Sequence, residues 1–132
     1  MKHILFVVIV LFLSFSALAA ETASCAQLVT QCRAAKKFLE HGQPTTEEWP
    51  GVFQCPNYLT GFAEALASIE DQQRVCLHDD TYPDQLVFEF ISWVDQHPDL
   101  MQSDKAHCVT AAFAAAHPCP ATILLNKAKS RQ

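Results

Sequence analysis

Seven of the fourteen residues from 84 to 97 are large and apolar: Leu86, Val87, Phe88, Phe90, Ile91, Trp93 and Val94. An amphipathic surface helix shows one apolar stripe, whereas these side chains cover most of the circumference, so the stretch predicts a helix buried on several sides. Both ends are marked. Thr81 is placed to act as N-cap, Pro83 fits the first turn where no backbone donor is needed, and Asp84 faces the positive helix end. Pro98 stops the helix, because the residue before a proline is pushed out of helical geometry. Residues 81–98 are therefore expected to form the central helix of a small α domain.

Three further helices follow from periodicity. In residues 24–40, Cys25, Leu28, Val29, Cys32, Ala35 and Leu39 recur at three- and four-residue steps and share one face. Arg33, Lys36, Lys37 and Glu40 fall largely on the other, and Gly42 with Pro44 ends the helix. Residues 41–54 read as the longest irregular connection, with Trp49 packing down as a lid over the core. A second helix is expected from Pro56 or Asn57 to Gln73, with Tyr58, Leu59, Phe62, Ala65, Leu66 and Ile69 as its apolar stripe. Gly61 inside it costs roughly 1 kcal/mol relative to Ala, which predicts a close contact with a neighbouring backbone. Ser103 is expected to cap a last helix over 104–116, with Val109, Ala112, Phe113 and Ala116 inward and Pro118 and Pro120 after its end. Residues 126–132 read as a frayed, mildly basic tail. With no alternating strand pattern and no internal repeat, the fold class is all-α, a small antiparallel four-helix domain.

Residues 1–20 stand apart. Lys2 and His3 precede the apolar run 4–13, and Ala17, Leu18 and Ala19 follow, the basic, hydrophobic and small-residue order of a secretory signal. Cleavage is expected after Ala19 or Ala20. The competing reading, a retained membrane anchor, wants roughly 20 strongly apolar residues, and this run is shorter. Cys25 raises a lipoprotein alternative, but Thr22, Ala23 and Ser24 lack the apolar residue expected three positions upstream. Removal of the signal leaves a mature domain, residues 21–132, of about 112 residues, enough for one core. The periplasm is the expected compartment.

All six cysteines lie in the exported part, and an even count in an oxidising compartment predicts disulfides. Cys25 and Cys32 are about 10 Å apart along one helix, too far to bond with each other. Cys55 and Cys76 bracket a helix and are excluded for the same reason. Up-and-down packing places Cys76 and Cys119 at one end, which favours Cys76–Cys119. Cys32–Cys55 comes next, and Cys25–Cys108 follows by elimination. Each bridge contributes roughly 2–4 kcal/mol.

The chemistry searched for is mostly missing. The formal charge of −5, without a Lys/Arg cluster, argues against nucleic acid and anionic membrane. No zinc-protease helix, nucleophile elbow, phosphate loop or Cys-x-x-Cys occurs. His78, Asp79 and Asp80 are three adjacent residues that cannot all point at one ion, so a solvated acidic loop is favoured over a metal site. His97 and His117 precede prolines at helix ends, where a histidine meets the negative end of the dipole. Cysteines committed to disulfides are not nucleophiles, so neither enzyme activity nor a cofactor is expected.

The order of these segments resembles the Rap/Tai-type immunity proteins. The matching features are Leu28 with Cys32 and Arg33, then Cys55, Tyr58 and Gly61, then Cys76, Gln85 with Leu86, His97 with Pro98, and Pro118, Cys119 and Pro120. Asn57, His78 and His117 depart from that pattern. The resemblance implies a helical, disulfide-bonded, often dimeric periplasmic inhibitor. Its partner would be a secreted peptidoglycan amidase effector of type VI secretion, whose active-site cleft it blocks. Contact residues do not carry over from such a family. From the residues themselves, the exposed candidates are Leu77, His78, Asp79, Asp80, Thr81 and Tyr82, and the Glu47, Glu48 and Trp49 loop, whose acids suit a basic cleft. Homodimerisation through the apolar central helix is a further expectation. A small acid-stress or holdase-type chaperone is the alternative function.

Overall fold

The first helix opens on a side-chain cap. Ser24 sits in extended backbone and its hydroxyl oxygen accepts from the Gln27 N–H at 3.3 Å, starting α1 (Cys25–Leu39). In the computed structural model, residues 24–69, 75–77 and 81–120 are described. The expected signal (1–20), His78, Asp79, Asp80 and the tail lie outside them. α1 buries Cys25, Leu28, Val29, Cys32 and Ala35, the face expected from its period, and Ala34 with them. It ends in a Schellman turn: the Gly42 N–H donates to the Lys37 carbonyl at 2.8 Å and the His41 N–H to that of Phe38 at 3.0 Å. The left-handed residue of that turn is His41, at φ 65°, and not the glycine beside it. Gly42 is still required, because a Cβ there would meet the Lys37 carbonyl oxygen at 2.8 Å.

α2 (Trp49–Ser68) departs most from expectation. It starts well before Pro56, carries that proline inside it, and ends before Gln73. Its start is set by Thr45 and Glu48, spaced as a capping box. The Glu48 carboxylate accepts from the Thr45 N–H at 2.8 Å, and the Thr45 carbonyl accepts from the N–H groups of Glu48 and Trp49. A proline inside a helix costs about 3 kcal/mol. Anchors on both sides offset that cost: Cys55 is bonded to Cys32, and Val52 and Leu59 are buried. The inward face carries Val52, Cys55, Leu59, Ala63 and Leu66, so Ala65 is exposed, contrary to expectation. Gly61 is also exposed, and a Cβ there would meet nothing within 4 Å. The close backbone approach is at Gly51 instead, where a Cβ would lie 2.9 Å from the Gln31 Cα and 3.0 Å from its carbonyl oxygen.

α3 (Pro83–Val94) has Pro83 in its first turn as expected, but Tyr82 occupies the cap position and Thr81 does not cap. Leu86, Val87, Phe90, Ile91 and Val94 are buried, while Phe88 is 37% exposed and Trp93 half-buried. A 3₁₀ turn (Pro98–Gln102) follows. α4 (Lys105–Ala116) is capped by Asp104, whose Oδ1 accepts from the His107 N–H at 2.8 Å. Ser103 instead donates its hydroxyl to the Leu100 carbonyl at 2.7 Å and closes the 3₁₀ turn. α4 buries Cys108, Val109, Ala112 and Phe113, and Ala116 is exposed.

The architecture is all-α, with only isolated bridges, Ser24 to Asp104 and Val75 to Pro118, outside the helices among the described residues. α1 and α3 touch each other, and each also packs on α2 and α4, so the centre is shared between two helices rather than held by α3 alone. α1 and α2 run antiparallel, as the pairing of Lys37 with Glu48 and of Cys32 with Cys55 requires. The core is filled by Phe90, Phe113, Leu59, Val87, Val94 and Val109, together with four fully buried cysteines. Three disulfides close it: Cys25–Cys108, Cys32–Cys55 and Cys76–Cys119, the pairs reached from the sequence. α1 and α4 start side by side, with the Cys25 N–H donating to the Ser103 carbonyl at 2.8 Å, so Cys25 and Cys108 meet at one end, whereas simple up-and-down packing would set those two helix starts at opposite ends.

Two substitutions at glycine should differ in sign. Gly51→Ala forces apart the α1 and α2 backbones and is expected to destabilise by about 1–3 kcal/mol. Gly61→Ala, on an exposed helical position, is expected to stabilise by about 0.5–1 kcal/mol. Urea midpoints measure both; a stabilising Gly51→Ala would contradict the close approach. His41→Gly should also raise the midpoint, by relieving the left-handed residue.

Candidate functional site

Among the described residues six large apolar side chains are exposed: Phe38, Trp49, Phe53, Ile69, Tyr82 and Phe88. Three of them gather at the corner where α1 ends and α2 begins. Trp49 lies between Phe38, with ring centroids 5.5 Å apart, and Phe53, stacked on it at 6.0 Å with planes 19° apart. Phe53 is the most exposed of the three at 61%. Trp49 is thus no lid over the core. It is the middle ring of a surface patch, because α2 has already begun there and puts Phe53 one turn further along the same face.

The acids beside the patch differ in their circumstances. Glu48 accepts from Lys37 Nζ at 2.8 Å and from the Thr45 N–H. The lysine hydrogen bond first, and the backbone N–H second, hold its carboxyl below the usual glutamate value. Glu47 is exposed and makes no hydrogen bond or ion pair among the described residues. Along the same α1–α2 seam, Gln31 Nε2 donates to Gln54 Oε1 at 2.8 Å.

The second region expected from the sequence lies elsewhere. Leu77 and Thr81 are half-buried and line a hollow with Thr60, Ala63, Glu64, Ala67 and Leu86, near the far end of α2. Tyr82 projects beside it, 70% exposed. Along α2, Ala63 is about 20 Å from Trp49, so the two regions are separate surfaces. His78, Asp79 and Asp80 fall outside the described residues. Phe38 and Phe53 were missed. Phe38 was an apolar residue off the inward stripe of the first helix, and Phe53 becomes visible as a Trp49 partner only once α2 is started at the Thr45–Glu48 box.

Two histidines at helix ends are engaged in structure. The His97 Nδ1–H donates to the Trp93 carbonyl at 2.7 Å and its ring stacks on that indole, as expected of a helix-end histidine. His117 does otherwise. It is buried, and its Nε2 lies 2.7 Å from Glu89 Oε2 rather than against the carbonyls of α4. Gln85 Nε2 donates to the other Glu89 oxygen at 2.7 Å, so the pair ties the end of α4 to α3. Cys76 lies beside this pair, but it is bonded to Cys119 and offers no thiolate. Among the described residues no three His, Cys, Asp or Glu side chains converge on a metal position.

What the geometry presents is a contact surface on a stapled helical frame. A family model for the Rap1a immunity proteins matches residues 24–119, almost the whole described domain. The chain belongs to the Rap1a immunity proteins. No curated protein and no solved structure matches it. Membership in the Rap1a family implies binding to a partner effector protein, and the exported character that goes with it agrees with three disulfides. No described helix is long and apolar enough to cross a membrane.

The salt bridge at the patch gives a titration. Because the folded carboxyl of Glu48 titrates lower than in the unfolded chain, the stabilisation from this pair is present above the unfolded value, near 4.5, and is lost as pH falls through the folded one. Carboxyl carbon NMR should show Glu48 titrating below the usual glutamate value, and Lys37→Met should raise it. An unchanged Glu48 midpoint in that variant would remove Lys37 as the cause.

Proposed function

We propose that this chain is a periplasmic immunity protein that neutralises a secreted cell-wall amidase, an effector of type VI secretion, by covering its active-site cleft. It performs no chemistry of its own. The observation that carries this reading is the Rap1a match across the helical domain, joined by the motif order that resembles the amidase-inhibiting immunity proteins. On the same reading residues 1–20 are a signal peptide cleaved near Ala19 or Ala20, and residues 21–132 are the mature domain. Three disulfides suit the oxidising periplasm. An inhibitor acting by coverage needs a stiff frame and exposed contacts. The domain offers two such contacts, the Glu47, Glu48 and Trp49 corner and the segment containing Leu77, Thr81 and Tyr82.

Homodimerisation belongs to the same proposal. Its support is the α3 face, where Phe88 and Trp93 line a hollow with Ala115 and Ala116. Light scattering at micromolar concentration should return twice the mass of the mature chain, and a monomer mass would remove it.

The functional test uses the mature, oxidised chain and each cell-wall amidase effector that the producing strain secretes. Release of peptide from purified peptidoglycan by one of them should fall in proportion to added chain and cease near one binding site per amidase. Full hydrolysis by all of them at large molar excess would overturn the amidase reading.

A further inference from the structure

We infer that the Phe38–Trp49–Phe53 corner is the docking point for an arginine-bearing surface of the effector, so that the main contact is aromatic and lies away from the entry of α3. This rests on the immunity reading above.

Three observations carry the inference. Among the described residues, three of the six exposed large apolar side chains are gathered here in ring-to-ring contact, no ring or cation contact engages Ile69 or Tyr82, and Phe88 lies under Lys36 at 5.9 Å. Contiguous rings on a surface are the side chains that supply most interface energy, because they bury much area with little rotamer freedom to lose. The support below them is stiff. Cys32–Cys55 joins the two helices, the Gly51 backbone presses on Gln31, and Gln31–Gln54 and Lys37–Glu48 hold the seam on either side. Charge then selects the partner. The Lys37 cation is neutralised by Glu48, while Glu47, two residues before Trp49, is exposed and unpaired among the described residues.

A purely apolar partner would desolvate Glu47 without compensation. An anionic partner would meet a carboxylate. A guanidinium satisfies both halves of the site, because its plane stacks on an aromatic face while its N–H groups pair with a carboxylate.

The test places a photo-reactive benzoylphenylalanine at position 53, and separately at position 82, in the full chain made in cells that also produce the strain's secreted effectors. Irradiation followed by mass spectrometry identifies the partner and the linked peptide. The expected result is an adduct from position 53 to a secreted effector, on a peptide containing arginine. Glu47→Gln should cut its yield several-fold while circular dichroism stays unchanged. Adducts from position 82 with none from 53 would overturn the inference and leave the immunity reading standing. An adduct from 53 to a second copy of this chain, or to no protein, would overturn it also. An adduct from 53 to an arginine-bearing effector without amidase activity would support the docking point and remove the amidase reading instead.

Discussion

The bond between Cys32 and Cys55 sets the relation of α1 to α2, and much of the remaining structure follows from that relation. It joins the middle of one helix to the first half of the next, over a separation of 23 residues, and in the chain-entropy model contributes about 3–4 kcal/mol. That is enough to offset a proline immediately after it inside α2. The same seam needs Gly51, since any side chain there would strike the α1 backbone. Once the two helices are clamped at this spacing, Phe38 at the end of one and Trp49 and Phe53 at the start of the other come together. The surface patch is a consequence of the clamp.

The other two bridges act at the opposite side of the problem. Cys25–Cys108 holds the starts of α1 and α4 together, and Cys76–Cys119 holds the segment before α3 to the end of α4. Beside the latter, the buried His117 and the half-buried Glu89 add a polar tie between α4 and α3. The domain therefore has a frame whose helix ends are fastened. That suits a protein whose task is to present a surface.

Much of this was legible in the order of residues. Helical periodicity placed the inward face of α1 and, apart from the exposed Ala116, that of α4, while apolar density placed α3. In α2 it placed Leu59 and Leu66 but missed the start of the helix. The rule that proline interrupts a helix was applied at Pro56, but local propensity gives way where a disulfide and buried neighbours hold both flanks. The Thr45–Glu48 spacing that marks the true start was present and overlooked. Caps at Tyr82 and Asp104, one residue beyond the expected Thr81 and Ser103, are differences of the kind that only hydrogen-bond geometry decides. Gly51 and Gly61 look alike in sequence. Which one touches a neighbouring backbone depends on helix packing that no single segment encodes. Trp49 was singled out as an exposed candidate, but its neighbours Phe38 and Phe53 were not, since their meeting depends on the clamp.

The central claim is that the Cys32–Cys55 clamp holds the aromatic corner rigid and in place. Amide hydrogen exchange on the oxidised chain and on the Cys32→Ala/Cys55→Ala double variant tests it most directly. The account predicts that the amides of Val52 and Phe53 lose most of their protection in the variant while those of Phe90 to Val94 in α3 keep theirs. Equal protection of Val52 and Phe53 in the two proteins would contradict it.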